Sequence, residues 1–539
     1  MIRLQQIKLP VEEGEAALKT KVCRLLKARE ADIRRIEIRR RSLDARKKPD
    51  LYYVYTIDVE LKQEKRYSRM VNGKNIMYTT SEKYHFPEMG REPLGDRPVI
   101  VGSGPAGLCC AWMLAKYGYR PILLERGDEA EVRRKKVDQF WNTGVLDPQS
   151  NVQFGEGGAG TFSDGKLNTS VKDPLGRVRQ VLSLFVNAGA PEEILYDQKP
   201  HLGTDVLVGL VQTLRQQIEQ MGGEVHFRSQ VTDLNLKDGK VKEIQINHRE
   251  WMPVSVLVLA IGHSARDTVE LLYRRGVCME AKAFAVGVRV EHPQSMINLD
   301  QYGRKEPGNL GAAPYKVTHQ LQNGRGVYSF CMCPGGWVVN ASSESEHLAV
   351  NGMSYQARDS RNANSALIVT VTPRDYAAFC TDTRKTPEPL QGIAFQRILE
   401  KAAYELAGGA VPVQMFADFC DNRCSTAFGD VLPCIKGHSE FGNLRQMLPD
   451  FLGSSLEEGI RAFGRKLPGF DRPDCVLSGV ESRTSSPVRI PRDEDLASNI
   501  ANLYPCGEGA GYAGGITSAA VDGLRVAEAI RKKYMNFGK

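Results

Sequence analysis

The chain has 539 residues, 42% of them hydrophobic and 25% charged, which is the composition of a folded globular protein with room for several domains. Its longest apolar stretch, about residues 254–261, is too short to cross a bilayer, and its first residues lack the pattern of a secretory signal. Twelve cysteines in a chain of this length do not form a disulfide scaffold, so we expect a reducing cytoplasm.

The excess positive charge lies at the start of the chain. Residues 1–97 contain 23 Lys/Arg against 15 Asp/Glu and so carry the whole formal charge of +8. Apolar periodicity in this segment predicts a strand, a helix and two strands at residues 2–9, 13–29, about 35–39 and 51–59. This βαββ order predicts a small N-terminal α/β domain, residues 1–95, with a ferredoxin-like or related sandwich.

A basic stretch within this first domain has two interpretations. Its members are Arg34, Arg35, Arg39, Arg40, Arg41, Arg46, Lys47 and Lys48. Together with tyrosines on the next strand they could bind RNA or another polyanion. The alternative, which we favour, is a solvated strand face, because runs of charge are usually just that.

After a linker at residues 91–97, the chain carries a dinucleotide-binding pattern. A strand at 99–101 leads into Gly102-x-Gly104-x-x-Gly107, and a second strand ends at Glu125, 23 residues after the first glycine. The glycines allow a tight turn, close approach to a pyrophosphate and helix packing, while the acid can accept hydrogen bonds from a ribose diol. The cofactor-binding residues predicted from this pattern are Gly102, Gly104, Pro105, Ala106, Gly107, Glu125 and Arg126.

A second glycine-rich loop spans residues 155–166. Its glycines expose backbone N–H groups, which can bind a phosphate or a flavin edge. The cofactor contacts predicted here are Gly157, Gly158, Gly160 and Thr161. We predict Lys166 to lie near the reactive part of the flavin or near a substrate anion; otherwise it is a surface lysine after a structural loop.

The next buried strand, about residues 256–261, ends in Gly262-His263. Because the carboxyl ends of parallel strands face ligands, Gly262 is a predicted cofactor contact and His263 a candidate acid or base. His263 and Asp267 could instead only fasten a loop. Before this strand we predict a helix from 203 to 221, capped by Thr204-Asp205, a strand at 225–227 and a hairpin turning at 237–240.

The block from 281 to 479 separates this domain from its C-terminal part and is the predicted substrate domain. Its cysteine pairs Cys331/Cys333 and Cys420/Cys424 lack the spacing of zinc sites. We therefore assign no metal site; buried packing and a flavin-linked dithiol stay open. We expect Cys109 and Cys110, in the first Rossmann helix, to be packing residues.

Arginines cluster just after this block. Planar guanidinium groups such as those of Arg483, Arg489 and Arg492 suit a carboxylate or phosphate of a substrate. They could instead pair with acids across the domain seam, such as Glu481, Glu494 or Asp495. Arg483 is our candidate for contact with substrate or flavin.

The last motif decides between the dinucleotides. Residues 503–523 contain a short strand, a glycine-rich turn and a helix that begins near Gly515 or Ile516. It resembles the second motif of two-dinucleotide-binding flavoproteins, in which a Gly-Asp pair holds the ribityl chain; here the pair is Gly507-Glu508. A motif at each end predicts FAD, since NAD needs only the first. The cofactor contacts predicted here are Gly507, Glu508, Gly514, Gly515 and Ile516.

Four further runs resemble a bacterial family of uncharacterised FAD-dependent dehydrogenases. These are residues 154–167, 262–268, 328–336 and 480–490. The resemblance implies a one-Rossmann, glutathione-reductase-like flavoprotein of the α/β class: a Rossmann-like FAD-binding domain (96–280 and 480–539), an inserted α+β substrate domain (281–479) and the small N-terminal domain. It implies no particular substrate.

We therefore expect an FAD-dependent oxidoreductase that acts on a small molecule. NAD(P)H is a candidate electron donor even without a second nucleotide domain. Two alternatives stay open: a flavoenzyme that docks RNA or a carrier through its basic N-terminal domain, and a flavin-binding sensor without turnover.

Overall fold

The computed structural model describes residues 1–80, 84–380 and 386–537. The N-terminal unit contains β1 (Ile2–Pro10), α1 (Glu15–Leu26), β2 (Ile33–Asp44), β3 (Tyr52–Leu61) and β4 (Ile76–Tyr78). The strands form one antiparallel sheet in the order β2-β3-β1-β4, and the apolar face of α1 is buried against it. The helix is shorter than predicted because Lys27 adopts a left-handed conformation that ends it.

The next unit is built on a parallel sheet. Its elements in chain order are β5 (Val99–Val101), α2 (Pro105–Lys116), β6 (Ile122–Leu124), α3 (Ala130–Thr143), α4 (Arg177–Asn187), α5 (Thr204–Gln220), β7 (Glu224–His226), β8 (Val231–Lys237), β9 (Lys240–Ile246), β10 (Glu250–Pro253), β11 (Leu257–Leu259) and α6 (Arg266–Arg274). Strands β8–β10 form a separate antiparallel sheet, joined by the predicted hairpin. The predicted cap of α5 is wrong: its N-cap is Gly203, and Thr204 and Asp205 lie in the first turn.

A larger mixed sheet follows. Its segment contains β12 (Glu280–Ala281), β13 (Phe284–Pro293), α7 (Gln294–Tyr302), β14 (Thr318–Gln320), β15 (Gly326–Cys333), β16 (Trp337–Asn340), β17 (Val350–Met353), β18 (Asn362–Val371), α8 (Pro373–Ala377), α9 (Gln391–Leu406), β19 (Val411–Met415), α10 (Phe416–Cys420), β20 (Ile435–Lys436), β21 (Ser439–Phe441), α11 (Leu444–Met447), α12 (Asp450–Gly464) and β22 (Val476–Glu481). Seven of these strands pair in the order β14-β15-β18-β13-β22-β19-β21, and three form a small second sheet, β17-β16-β20.

The chain then returns to the parallel sheet through β23 (Val488–Arg489), β24 (Leu503–Pro505) and α13 (Ile516–Lys533). Strand β24 pairs in parallel with β11, which completes the order β24-β11-β5-β6-β7. Helices α2 and α13 pack against each other within the largest apolar cluster. Residues far apart in sequence thus build one Rossmann-like sheet, as expected for a mixed α/β protein.

The central strand of the larger sheet, β13, is buried on both faces. Its alternate residues Val286, Val288 and Val290 belong to the apolar core of the second unit. Because side chains along a strand alternate between faces, Arg289 and Glu291 point to the opposite side. Strand β13 therefore separates an apolar core from a polar layer that leads toward the parallel sheet.

Candidate functional site

A cavity of about 360 Å³ lies at the carboxyl ends of the parallel strands. Residues that follow four neighbouring strands line it: Gly102 after β5, Glu125 after β6, His263 after β11 and Glu508 after β24. The opposite wall comes from the larger sheet and includes Phe330. This is the crevice in which open α/β sheets bind their ligands, and its size suits one.

Two glycines make this crevice accessible to a ligand. Gly102 has φ of +98°, and a Cβ atom there would lie 2.4 Å from the carbonyl oxygen of Ala260, so only glycine fits the turn. At Gly158, with φ of +63°, a Cβ atom would lie 3.0 Å from the Cα atom of Gly104. The two glycine-rich loops therefore meet with bare backbone, as a phosphate cradle requires.

Two helices begin at the cavity. The N-cap residue of α2 is Gly104 and that of α13 is Gly515, and both residues line the cavity. No described side chain caps either helix. Their first N–H groups and positive dipole ends are therefore available to an anionic ligand.

Glu125 is buried and fully hydrogen-bonded to protein groups. One carboxylate oxygen accepts from the backbone N–H and the hydroxyl of Ser103, at 2.9 and 2.7 Å. The other accepts from the N–H groups of Gly127 and Gly155, at 2.8 and 2.9 Å. The carboxylate thus holds the first glycine-rich turn to the second loop, a role that the sequence did not predict, and it also lines the cavity.

Arg126, the next residue, also lines the cavity. Its guanidinium group makes a bidentate ion pair with Asp267, at 2.8 and 2.9 Å, and stacks over Phe154 at 4.2 Å from the ring centre. Burial by itself raises the pKa of Asp267, but the bonds from Arg126 outweigh this and lower it. Asp267 therefore fixes Arg126.

His263 pairs with the acid of the C-terminal motif. Its Nδ1 atom lies 3.2 Å from Oε1 of Glu508. Its Nε2 atom is buried and has no hydrogen-bond partner in the described part of the chain. An unpaired polar atom on a cavity wall indicates a bound group that completes its hydrogen bonding.

Lys166 is the second such group. Its Nζ atom is buried without a hydrogen bond to any described residue, and lies 3.1 Å from Oδ2 of Asp164. Asp164 also accepts from the Ser354 hydroxyl and from Arg358, each at 2.6 Å. Burial raises the pKa of Asp164, yet the charges of Lys166 and Arg358 outweigh it and keep the pKa below its usual value. Asp164 is shared between two cations, so Lys166 keeps donors for a ligand.

Arg483 lines the cavity but is engaged elsewhere. It makes a bidentate pair with the buried Glu400, at 2.8 and 2.9 Å, and donates to the hydroxyl of Ser343. The alternative in which these arginines pair with acids therefore describes Arg483, but its partner is Glu400 and not Glu481, which pairs with Arg289 at 2.8 Å. Of the neighbouring arginines, Arg492 pairs with Asp522 at 2.9 Å and Arg489 lies over the ring of Tyr512.

Most of the predicted contacts line the cavity. They are Gly102, Gly104, Pro105, Ala106, Glu125, Arg126, Gly158, Gly160, Lys166, Gly262, His263, Arg483, Gly507, Glu508, Gly514, Gly515 and Ile516. Gly107, Gly157 and Thr161 do not. A Cβ atom at Gly107 would lie 1.8 Å from the carbonyl oxygen of Gly102, and one at Gly157 would lie 2.1 Å from the Thr161 hydroxyl, so these three residues support the loops by packing.

Several lining residues were not predicted. They include Asp164, Ser229, Gln230, Val231, Phe330, Asn351, Glu481 and Thr484. Four of them, Ser229, Gln230, Val231 and Asn351, lie outside the motifs, and only the folding of the chain brings them to the cavity. Phe330, Glu481 and Thr484 lie in two of the runs that resemble the family, and Asp164 lies in the glycine-rich loop two residues before Lys166, so the sequence marked these segments without indicating the side chains.

The remaining motifs lie outside the cavity. Cys109 and Cys110 are buried in α2, as expected of packing residues. In the basic N-terminal stretch, Arg39, Arg41 and Arg46 make ion pairs with Asp or Glu. None of the helices within the described ranges has the length and apolar character needed to cross a membrane.

The fold and the cavity together define a dinucleotide-binding protein with one Rossmann-like sheet. Residues 283–484 match a family profile described as FAD-dependent protein, C-terminal domain-like. Residues 100–139 match the NAD(P)-binding Rossmann-like domain, and residues 1–60 match a domain of unknown function.

A protein of Clostridium beijerinckii, described as "Uncharacterized protein", is 48% identical over 538 residues, which cover 99% of each chain. The chain belongs to the same family, a family of FAD-dependent proteins, and FAD is its cofactor. The bare glycine cradle, the two uncapped helix N-termini and the unpaired atoms of Lys166 and His263 fit this cofactor.

Solved structures of flavoproteins are also similar, more distantly. L-proline dehydrogenase from P. horikoshii is 10% identical with a TM-score of 0.34, covering 82% of this chain and 94% of the other. L-amino acid deaminase from Proteus vulgaris is 12% identical with a TM-score of 0.33, covering 84% and 98%. Similarity at this level says nothing about the activity of this chain.

Proposed function

We propose that the protein is an FAD-dependent oxidoreductase whose small-molecule substrate enters the same cavity as the flavin. The observation that carries the proposal is the composition of the cavity walls. One wall holds both dinucleotide motifs, and the other brings Phe330, Asn351 and Glu481 of the larger sheet to the same space. A site that only bound a nucleotide would not need this second, polar wall.

The roles of the residues follow from their positions. We propose that Gly104, Pro105, Gly158 and Gly160 receive the pyrophosphate at the start of α2. Glu125 would bind the ribose by exchanging one of its four protein donors for a ribose hydroxyl. Arg126 and the segment Ser229–Val231 would enclose the adenine end. Glu508 would bind the ribityl chain, with its carboxylate oriented by His263.

The flavin end would lie where α13 begins, at Gly514, Gly515 and Ile516, because the positive end of that helix stabilises negative charge on a reduced flavin. FAD supplies the redox chemistry when bound. Lys166 and His263 are the side chains with unused polar atoms there, so we propose that they orient a substrate or accept and donate its protons. Arg483, whose guanidinium group is held by Glu400 and Ser343, is a positioning residue.

The domain boundaries predicted from the sequence stand as part of this proposal: 1–95, 96–280 with 480–539, and 281–479 as the substrate domain. The strand order of the N-terminal sheet supports a ferredoxin-like arrangement for the first unit. The ion pairs within its basic stretch weaken the RNA-docking alternative. NAD(P)H stays a candidate donor.

A glycine that can accept a methyl group gives a sharp test. A Cβ atom at Gly104 would contact only Gly158, at 3.9 Å, and the backbone there is extended, so Gly104→Ala should fold and yet place a methyl group where a pyrophosphate must approach. We expect roughly tenfold weaker FAD binding, about 1.4 kcal/mol, by equilibrium titration of flavin fluorescence. Gly209→Ala, in α5 with nothing within 4 Å, is the matched control and should bind FAD normally.

Reduction tests the oxidoreductase itself. The purified protein should show a flavin spectrum, and anaerobic NADH or NADPH should bleach it if either is the donor. A flavin that neither pyridine nucleotides nor a panel of organic donors reduce would favour a sensor. A protein that takes up no FAD, or a Gly104→Ala variant with unchanged affinity, would contradict the proposed site.

A further inference from the structure

Two cysteines of the larger sheet reach the cavity where strand β15 ends. Cys331 lines the cavity, and Cys333, two residues later, is completely buried. The pairing of β15 with β18 is irregular between Phe330 and Cys333, and Cys331 has φ of +42°. Bulges of this kind re-aim side chains, and a left-handed non-glycine residue on a cavity wall points to function.

The two cysteines are in contact. The Cys333 thiol donates a hydrogen bond to the carbonyl oxygen of Cys331, at 3.3 Å. The irregular pairing and the left-handed backbone at Cys331 interrupt the regular alternation of side chains here, and this hydrogen bond holds the Cys333 sulfur against Cys331. The pair therefore has one cysteine on the cavity wall and one completely buried beside it.

A buried arginine lies against this pair. The Arg289 Nη1 atom donates to the carbonyl oxygen of Cys331 at 2.9 Å and lies 3.8 Å from the Cys333 sulfur. The side chain of Cys333 and the charges of Arg289 and Lys166 lower the pKa of the Cys331 thiol, against the opposing effects of burial and of the Asp164 charge. A lowered pKa favours the thiolate, which is the reactive form of cysteine.

We propose that Cys331 and Cys333 form a redox-active pair that exchanges two electrons with the FAD in this cavity. This rests on the proposed function, since it requires the flavin in the same space. In the oxidising direction the two thiols lose two protons and two electrons as the S–S bond forms, and FAD takes up both to become FADH₂. The reverse reaction cleaves the disulfide into two thiols and regenerates FAD. Cys331, on the cavity wall, is the sulfur that meets the flavin, and Cys333 is its partner.

Other cysteines lack this arrangement. Cys109 and Cys110 are neighbours in a buried helix, where burial raises the pKa of both thiols. Cys420 and Cys424 do not line the cavity, and Cys424 is exposed. Cys424→Ser is therefore a control that removes a thiol without touching the site.

The number of electrons that the holoprotein accepts tests the proposal. FAD and a disulfide are each two-electron couples, so the fully oxidised protein should take up four electrons per FAD in an anaerobic dithionite titration. Cys331→Ser and Cys333→Ser should take up two, and Cys424→Ser should take up four. Alkylation of the unfolded protein, read by peptide mass spectrometry, should find residues 331 and 333 blocked before reduction and labelled after it.

Uptake of two electrons by the unsubstituted protein, with both thiols free after oxidation, would overturn the inference while leaving the flavin function intact. Failure of the flavin itself to bind or to be reduced would instead contradict the proposed function, and the alkylation count would still report on the thiols. If Cys331→Ser does not fold, Cys331→Ala and the unsubstituted protein supply the same comparison.

Discussion

At the scale of single residues, Glu291 differs from the other buried acids. The carboxylates of Glu125, Asp164 and Glu400 are compensated by several donors or by arginine and lysine. Glu291, completely buried on β13, accepts on one oxygen from the Asn362 amide and the Cys434 N–H group. Its other oxygen has no partner among the described residues, and burial raises its pKa to about 7.

This shift predicts how stability depends on pH. The folded pKa of Glu291 is raised from 4.5 to about 7, so the folded state holds a proton that the unfolded state releases. The contribution of Glu291 to the free energy of unfolding is fully present below pH 4.5 and is lost as the pH rises to about 7. Glutamine does not ionise, so the Glu291→Gln variant should not lose this stability. The free energy of unfolding of the variant minus that of the unsubstituted protein should therefore rise by roughly 2–3 kcal/mol between pH 4.5 and pH 8.

Urea unfolding at a series of pH values measures this difference. Other groups titrate in both proteins and cancel, including His292, whose pKa burial lowers to about 4. A difference between the two proteins that does not change with pH would show that Glu291 is ionised in the folded state.

At the scale of elements, a buried cluster of charges joins three parts of the fold. Glu400 of α9 makes bidentate bonds with Arg266, at the start of α6, and with Arg483, just after β22. All three side chains are buried. Burial raises the pKa of Glu400, but the two arginines outweigh it and hold the pKa well below its usual value. The cluster therefore fixes the cavity wall at Arg483 to both sheets.

We expect Glu400→Gln to be strongly destabilising. Removal of one charge leaves two buried guanidinium groups with insufficient compensation, a change that costs about 3–5 kcal/mol. Glu405→Gln, on the same helix, is the control: Glu405 is 65% exposed and faces Lys401 at 3.8 Å, so its loss should cost no more than about 0.5 kcal/mol. Equal unfolding midpoints in urea for the two variants would refute a structural role for the cluster.

These elements also show what the sequence can predict. The parallel strands, the helices α2 and α13 and the glycine turns all have local signals, so their bounds were found within a few residues. The sequence does not predict the partner of Arg483, because Glu400 lies 83 residues earlier on a helix with ordinary amphipathic spacing. Long-range pairs of charges depend on how the sheets pack, and local sequence patterns do not predict this packing. The same holds for Phe330 and Asn351 in the cavity wall.

At the scale of the whole molecule, the N-terminal unit is attached by its own contacts but lies apart from the cavity. Arg41 pairs with Asp197 at 2.6 and 2.8 Å, and its guanidinium group lies over the rings of Tyr53 and Tyr196. A backbone hydrogen bond from Arg41 to Tyr196 extends this contact. Of the residues described, none before Val101 lines the cavity. Ligand binding should therefore stabilise the two sheets that form the cavity against local opening, and it should not stabilise the N-terminal unit in this way.

Hydrogen exchange can separate these regions. FAD at a hundredfold excess over its Kd stabilises the states that bind it by about 2.7 kcal/mol, so openings that destroy the site become about a hundredfold rarer. Because both sheets form the cavity, we expect slower exchange in the glycine-rich loops, at the start of α13 and at the end of β15. Peptides of β1–β4 that open locally without disturbing the cavity should exchange as before.

Gly104→Ala at the same FAD concentration should show less protection in the cavity peptides, whereas Gly209→Ala should match the unsubstituted protein. Protection confined to the parallel sheet, with β15 unaffected, would mean that the larger sheet does not close over the flavin, and the substrate would then have to be sought elsewhere.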